Sequence, residues 1–192
     1  ASSTTTNELY IGRWRDGDPM HFTGFMSDIR IIRGTALTDY TVPNSKLSSV
    51  ENTVFLAQPY RMKEGVGNMS IASRPSTDET GKVLTYVGNP KTSADGPTSG
   101  TGSFDFNFDS KIDIPIGSTD VLGDGEFTIE FWLYQKDPHP NQSGGTNYTC
   151  LFGMNGLSGS SYWGVYYYGE YSSPGRKLGM IGSKISPDSM DH

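Results

Sequence analysis

At 192 residues the chain is long enough for one substantial core or parts of two, and a composition of 24 glycines, 11 prolines and only 34% apolar residues describes short strands joined by many turns. A formal net charge of −6, with fifteen scattered Lys and Arg, leaves no basic stripe to collect phosphates, which argues against nucleic acid as a partner. The single cysteine, Cys150, excludes an internal disulfide framework or a Cys-rich zinc site and reads as a small buried hydrophobe on a strand. No apolar run reaches the roughly 18 residues that a membrane-crossing helix needs, so membrane insertion is not expected. The chain opens at Ala1 with no signal-like segment, which reads as a processed product or as part of a longer polypeptide.

The expected fold class is all-β, since no window sustains a 3.6-residue period. In chain order, Glu8–Gly12 is the first strand candidate, followed by a polar loop holding Trp14, Asp16, Gly17, Asp18 and Pro19. From Phe25 the side chains alternate. That pattern predicts Phe25, Ser27, Ile29 and Ile31 on one face, committed to a core, and Met26, Asp28, Arg30 and Ile32 on the other. Gly34 breaks the run ahead of Ala36, Leu37, Tyr40 and Pro43, and Thr53–Ala57 is the next strand. Residues 65–102 are dominated by Ser, Thr, Gly, Asp and Pro, with one strand candidate at Val83–Val87, and read as irregular but partly ordered.

Beyond Ser103 the strand signals become dense. Phe104, Phe106 and Phe108 alternate with polar residues, as do Ile112, Ile114 and Ile116. In Glu126–Tyr134 the row Phe127, Ile129, Phe131 and Leu133 is expected to be almost fully buried, opposite Thr128, Glu130, Trp132 and Tyr134. Further strands are expected at Tyr148–Met154, Tyr162–Tyr168 and Lys177–Ile181.

Gly100-Thr-Gly-Ser-Phe-Asp-Phe, Lys111-Ile-Asp-Ile-Pro115 and Gly125-Glu-Phe-Thr-Ile-Glu-Phe-Trp-Leu-Tyr134 resemble the first half of a laminin-G-like, concanavalin A-like lectin/glucanase domain. Leu9-Tyr-Ile-Gly12, Phe22-Thr-Gly-Phe-Met-Ser-Asp-Ile-Arg-Ile31 and Gly34-Thr-Ala-Leu37 resemble the final strands of the same family, so the halves arrive in reversed order. The resemblance implies an antiparallel two-sheet jelly-roll sandwich. It divides the chain into residues 1–50, the C-terminal part of one domain, and 51–192, the N-terminal part of a following one; the competing geometry is one circularly permuted sandwich. The junction Arg33-Gly-Thr-Ala-Leu37 with Tyr40-Thr-Val-Pro43 is similar to tandem repeats in structural proteins of tailed bacteriophages. That likeness implies a non-enzymatic structural and adhesion module at a virion surface, in a fibre, tail or capsid decoration protein. Its expected partners are other virion subunits, copies of itself in a homo-oligomer, and host-surface glycan. The alternative is a secreted or cell-surface carbohydrate-binding module attached to a hydrolase.

The chemistry-bearing residues divide between functional and structural readings. Glu126 and Glu130 lie roughly 13 Å apart along a strand, too wide for the carboxylate separation of about 5 Å in a retaining glycosidase. Glu130 is therefore expected to stay solvated or to pair with an arginine, and catalysis is not expected. His21, His139 and His192 read as surface residues without a role, lacking metal-ligand spacing. Calcium is the one cofactor the resemblance implies, with Asp16 and Asp18 or Asp120 and Asp124 as ligands; short acidic turn residues of this kind also simply make turns. The sequons at Asn68, Asn141 and Asn147 matter only in a eukaryotic secretory setting. Tyr166, Tyr168 and Tyr171 form the most suggestive surface feature, expected to line an exposed face where flat rings stack on sugars or on a neighbouring subunit. In the packing alternative, Trp163, Val165 and Tyr167 fill the core.

Overall fold

The computed structural model describes residues 7–13, 21–38, 41–59, 75–93, 102–107, 109–117, 122, 125–136, 147–155, 162–169 and 177–182. All the regular structure among them is strand: β1 (Asn7–Ile11), β2 (Gly24–Arg33), β3 (Thr53–Ala57), β4 (Thr85–Val87), β5 (Lys91–Ser93), β6 (Ser103–Phe106), β7 (Lys111–Gly117), β8 (Phe127–Gln135), β9 (Asn147–Asn155), β10 (Tyr162–Gly169) and β11 (Lys177–Gly182). One antiparallel sheet runs β11-β10-β9-β1-β7-β4; the other runs β3-β2-β6-β5, with β8 added against β2. The two apolar faces meet in a shared core. The first sheet contributes Leu9, Ile11, Ile112, Ile114, Phe152, Met154, Trp163 and Val165, and the second contributes Met26, Ile29, Ile31, Phe55, Ala57, Phe104 and Phe106. An edge-to-face aromatic contact joins the layers, Phe152 standing 5.1 Å from Phe131 at 84°, and Phe152 packs edge-to-face on Trp163 of its own sheet at 6.1 Å and 81°.

Both sheets are built from distant parts of the chain. β1 lies between β7 and β9, and β2 pairs with β8 along one side while β3 and β6 share the other. The boundary expected at residue 50 thus falls between β2 and β3, which are hydrogen-bonded neighbours, and strands from both sides of it enter one core.

The strict alternation expected of β2 fails at one place, for a physical reason. Ser27 pairs with Trp132 and Arg30 with Glu130, so Asp28 and Ile29 together stand opposite Phe131. One extra residue in one strand is a β-bulge, and it swaps the faces. Before the bulge Met26 is the core residue, while Phe25 turns outward to within 6.1 Å of the Tyr134 ring; after it Ile29 and Ile31 point inward. Asp28 takes φ 49°, a left-handed conformation that Asp tolerates better than a branched apolar residue. Asn52, Asn89 and Asp109 occupy the same region at turns. At Gly88 (φ 65°) a side chain would collide with the Asp109 carbonyl, so the β4–β5 turn packs directly on the β6–β7 turn.

The core row of β8 also departs from expectation. Phe127, Ile129, Phe131 and Leu133 face the core but are only partly buried, because β8 is flanked by β2 alone among the described residues. Phe104, on the interior strand β6, is fully buried. Phe104→Ala is therefore expected to cost about 3 to 5 kcal/mol, the usual range for a fully enclosed Phe, and Phe131→Ala about half as much. Urea unfolding of both variants checks the ranking, and an equal loss would mean that β8 is as enclosed as β6.

Candidate functional site

The buried polar side chains gather at the β2 bulge and on the outer faces of the two sheets. At the bulge, β2 passes from the β6 ladder (Gly24–Met26) to the β3 ladder (Ile29–Ile32), leaving Ser27 and Asp28 between the end of one neighbour and the start of the other. Side chains replace the missing ladder there. Ser27 Oγ donates to the Gly102 carbonyl at 2.6 Å, and Gln58 Nε2 donates both to Asp28 Oδ1 and to the Leu47 carbonyl, each at 2.6 Å. Asp28 is 1% exposed, and desolvation pushes its carboxyl above the ordinary 3.8; hydrogen bonds from Gln58 and the Leu47 backbone, and the charge of Lys46, oppose that rise only in part.

Two residues on, Arg30 reaches across to Glu130 on the outer face of the same sheet. Nε donates to Glu130 Oε2 at 2.6 Å, Nη2 bonds the same oxygen, and Nη1 donates to the Ser48 carbonyl at 2.7 Å. Glu130 thus pairs with an arginine, as one of its two expectations had it. The solvated alternative is corrected: the two side chains are 9% and 6% exposed, since residues around Leu47 and Ser48 bind over this outer face. Arg30 lies opposite the core row but is not in solvent.

At the far edge, Asp78 closes a turn against β3. Its carboxylate accepts from the backbone N–H groups of Leu56 (3.0 Å), Thr80 (3.0 Å) and Lys82 (2.7 Å) and from Thr80 Oγ1, while Lys82 Nζ bonds the Val54 carbonyl. On the outer face of the six-stranded sheet, Lys111 Nζ pairs with Asp113 at 2.8 Å and stands 5.0 Å from the centre of the Tyr10 ring, with the Lys111 side chain 3% exposed. Near the β1–β2 and β6–β7 turns, Arg13 Nη1 lies 3.4 Å and His21 Nε2 3.8 Å from Asp109 Oδ1. His21 is buried, which corrects its reading as a surface residue: the backbone bridge to Arg13 sets it beside Asp109.

The sequence candidates fare as follows. Tyr166 is 6% exposed and packs with Cys150, its partner across β9 and β10, so it does not lie on an open aromatic face. A register shift stands between Val165 and Tyr166, and the Tyr166 and Cys150 side chains form a small cluster separate from the main core. Cys150 is buried, as expected of a small hydrophobe, and Trp163 and Val165 are in the core. Tyr168 belongs to β10 and pairs with Tyr148, but its side chain, like that of Tyr167, lies outside the described residues. Tyr171, Asp16, Asp18, Asp120, Asp124, His139, His192 and the sequon residues Asn68 and Asn141 also lie outside them; Asn147 is the first residue of β9. Among the described residues no three His, Cys, Asp or Glu side chains gather as a metal-binding group, and no helix is long and apolar enough to cross a membrane.

Comparison with family models, with curated proteins and with solved structures finds no match to this chain.

Two expected outcomes follow from the buried groups. Removing one member of the Arg30–Glu130 pair leaves a buried charge alone, so Arg30→Met and Glu130→Leu should each cost about 3 to 5 kcal/mol, while the double variant should cost less than either. A double-mutant cycle by chemical denaturation measures this, and additive losses would contradict it. For Asp28 the folded state binds its proton more tightly than the unfolded state does. Its contribution to stability is therefore greatest below 3.8, falls as pH rises through the raised folded value, and stays low above it. Asp28→Asn should flatten this acid-side slope, and Asp28→Ala should cost about 1 to 3 kcal/mol by stranding the Gln58 amide. Unfolding curves at a series of pH values distinguish these results from a slope unchanged by Asp28→Asn.

Proposed function

We propose that this chain is a non-enzymatic structural and adhesion module of laminin-G-like, jelly-roll type, serving at a virion surface in a fibre, tail or capsid decoration protein. The observation that carries the reading is where the buried charges go. Asp28, Arg30, Glu130, Asp78 and Lys111 all bind partners within the chain, tying strands and loops together. Such use of charge supports a rigid scaffold. Antiparallel sheets facing across one core agree with the sandwich that the sequence resemblance implies, and the order in which β1 and β2 enter those sheets favours a single permuted unit.

In this reading the partners are other subunits of the particle and host-surface glycan. Burial withdraws Tyr166 from sugar stacking, which leaves Tyr168 and Tyr171 as the pair to test. Calcium at Asp16 and Asp18 or at Asp120 and Asp124 remains part of the proposal as a structural ion. On a glycan array the protein is expected to be retained weakly, and Tyr168→Ala with Tyr171→Ala is expected to abolish retention without lowering Tm. Retention unchanged in the double variant would remove the stacking role. Release of free sugar from the arrayed glycans would overturn the non-enzymatic reading.

A further inference from the structure

β2 and β3 are antiparallel neighbours, and the Arg33 N–H bonds the Asn52 carbonyl at 3.0 Å at their shared end. A turn of about two to five residues would join strands so placed, yet residues 34–52 intervene. Both ends of this connection are fixed. The Gly34 N–H donates to the Glu126 carbonyl at 2.6 Å, and Thr128 Oγ1 accepts from the Leu37 N–H at 3.0 Å and donates to the Thr35 carbonyl at 2.9 Å, which laces residues 34–37 to β8. At the other end the Thr53 N–H donates to the Val50 carbonyl at 3.1 Å and the Val50 N–H to Thr53 Oγ1 at 2.9 Å, a turn in which Asn52 takes φ 63°.

The middle is held differently. In residues 41–51 Leu47 is the one buried side chain, Pro43 is half-buried, the others are exposed, and none belongs to a strand. Among the described residues the polar attachments of this stretch to the sheet converge on Leu47 and Ser48. The Leu47 N–H donates to the Asp28 carboxylate, Gln58 Nε2 donates to the Leu47 carbonyl at 2.6 Å, and Arg30 Nη1 donates to the Ser48 carbonyl at 2.7 Å. Beside this clasp lies the buried Arg30–Glu130 pair. Water reaching these charges would restore hydration that burial denies them, which offsets part of the loss when the clasp parts. We infer that residues 41–49 are a latch, pinned at Leu47 and Ser48, that opens as a unit while both sheets stay folded and bares Arg30 and Glu130 to solvent. A stretch with one buried apolar side chain and no strand ladder lies at the low end of local stability. The turn at Asn52 and the lacing of residues 34–37 stay closed, so no strand pairing is lost. The inference concerns a movement and does not depend on glycan binding or assembly.

Trypsin cutting of the full chain between Lys46 and Leu47, followed by mass, tests it, because the closed clasp keeps Leu47 buried and out of a protease's reach. Cutting is expected in the folded protein, at a rate that changes little with urea below the unfolding transition, since the opening exposes little surface. The cut chain should keep the circular dichroism of the intact one. Gln58→Met removes the donor to the Leu47 carbonyl without altering the latch itself and should speed the cut about five- to tenfold. Val42→Ser, at an exposed position of the same stretch, should leave the rate unchanged. A rate that climbs with urea as steeply as global unfolding, a cut chain that unfolds, a rate unmoved by Gln58→Met, or equal acceleration by Val42→Ser would each overturn the inference. The urea dependence needs only the unaltered chain, and because no readout involves sugar, failure here is distinct from failure on the glycan array.

Discussion

The single extra residue in β2 is the constraint on which the rest of the sandwich depends. A strand of ten residues cannot pair with β8 on one side and with two successive neighbours on the other unless its faces are kept in register with both. Inserting Asp28 at φ 49° changes the inward parity between Met26 and Ile29. Without it, one half of β2 would turn its apolar row to solvent, since a one-residue slip moves every side chain to the other face. The insertion also places the Ser27 and Asp28 side chains in a dry site, where Ser27 ties β2 to the Gly102 carbonyl and Gln58 links the Asp28 carboxylate to the Leu47 carbonyl. A carboxyl held at that point is costly in its ionised form, which is the origin of its raised pKa.

From that point the outer layer follows. Hydrogen bonds at Leu47 and Ser48 hold their segment against β2, and Arg30 and Glu130 become buried partners where exposed polar residues of an edge sheet would have been the simpler result. The buried charges of this protein bind strand to strand and loop to sheet, which is the observation behind the proposed structural role. At the sheet flanks, the β3 edge is closed by Asp78, and β8 pairs with β2 alone among the described residues.

Much of this was legible in the sequence. Thr53–Ala57 is a strand with the expected bounds, and alternation located Ile112 and Ile114 correctly because β7 pairs with β1 without a break from Ile112 to Pro115; Ile116, beside a register shift, also enters the core. Alternation misassigned Phe25 and Met26 because it assumes an unbroken strand, and the only local signal of a bulge was an aspartate set in the apolar run Phe25–Ile32. The half-exposure of Phe127–Leu133 was not legible, since amphipathic pattern reports which face is apolar and not whether the strand has neighbours on both sides. Tyr166 was missed for a related reason: an aromatic on the outer face looks like a surface group unless the register shift beside it and its Cys150 partner are seen. The Gln58 amide carries no sequence signature, because its partners Asp28 and Leu47 are brought to it by the pairing of β2 with β3, whereas Lys111 and Asp113 are two residues apart on one face of β7 and pair locally.

The central claim is that strands from both sides of residue 50 form one cooperative core, with β1 and β2 as interior members. Hydrogen exchange followed peptide by peptide along the unfolding transition tests it most directly. Amides of β1 and β2 should be protected to the same depth as those of β7 and β9 and should lose protection in the same step. Early exchange of residues 7–33, while β7 and β9 remain protected, would show two independent units and contradict the account.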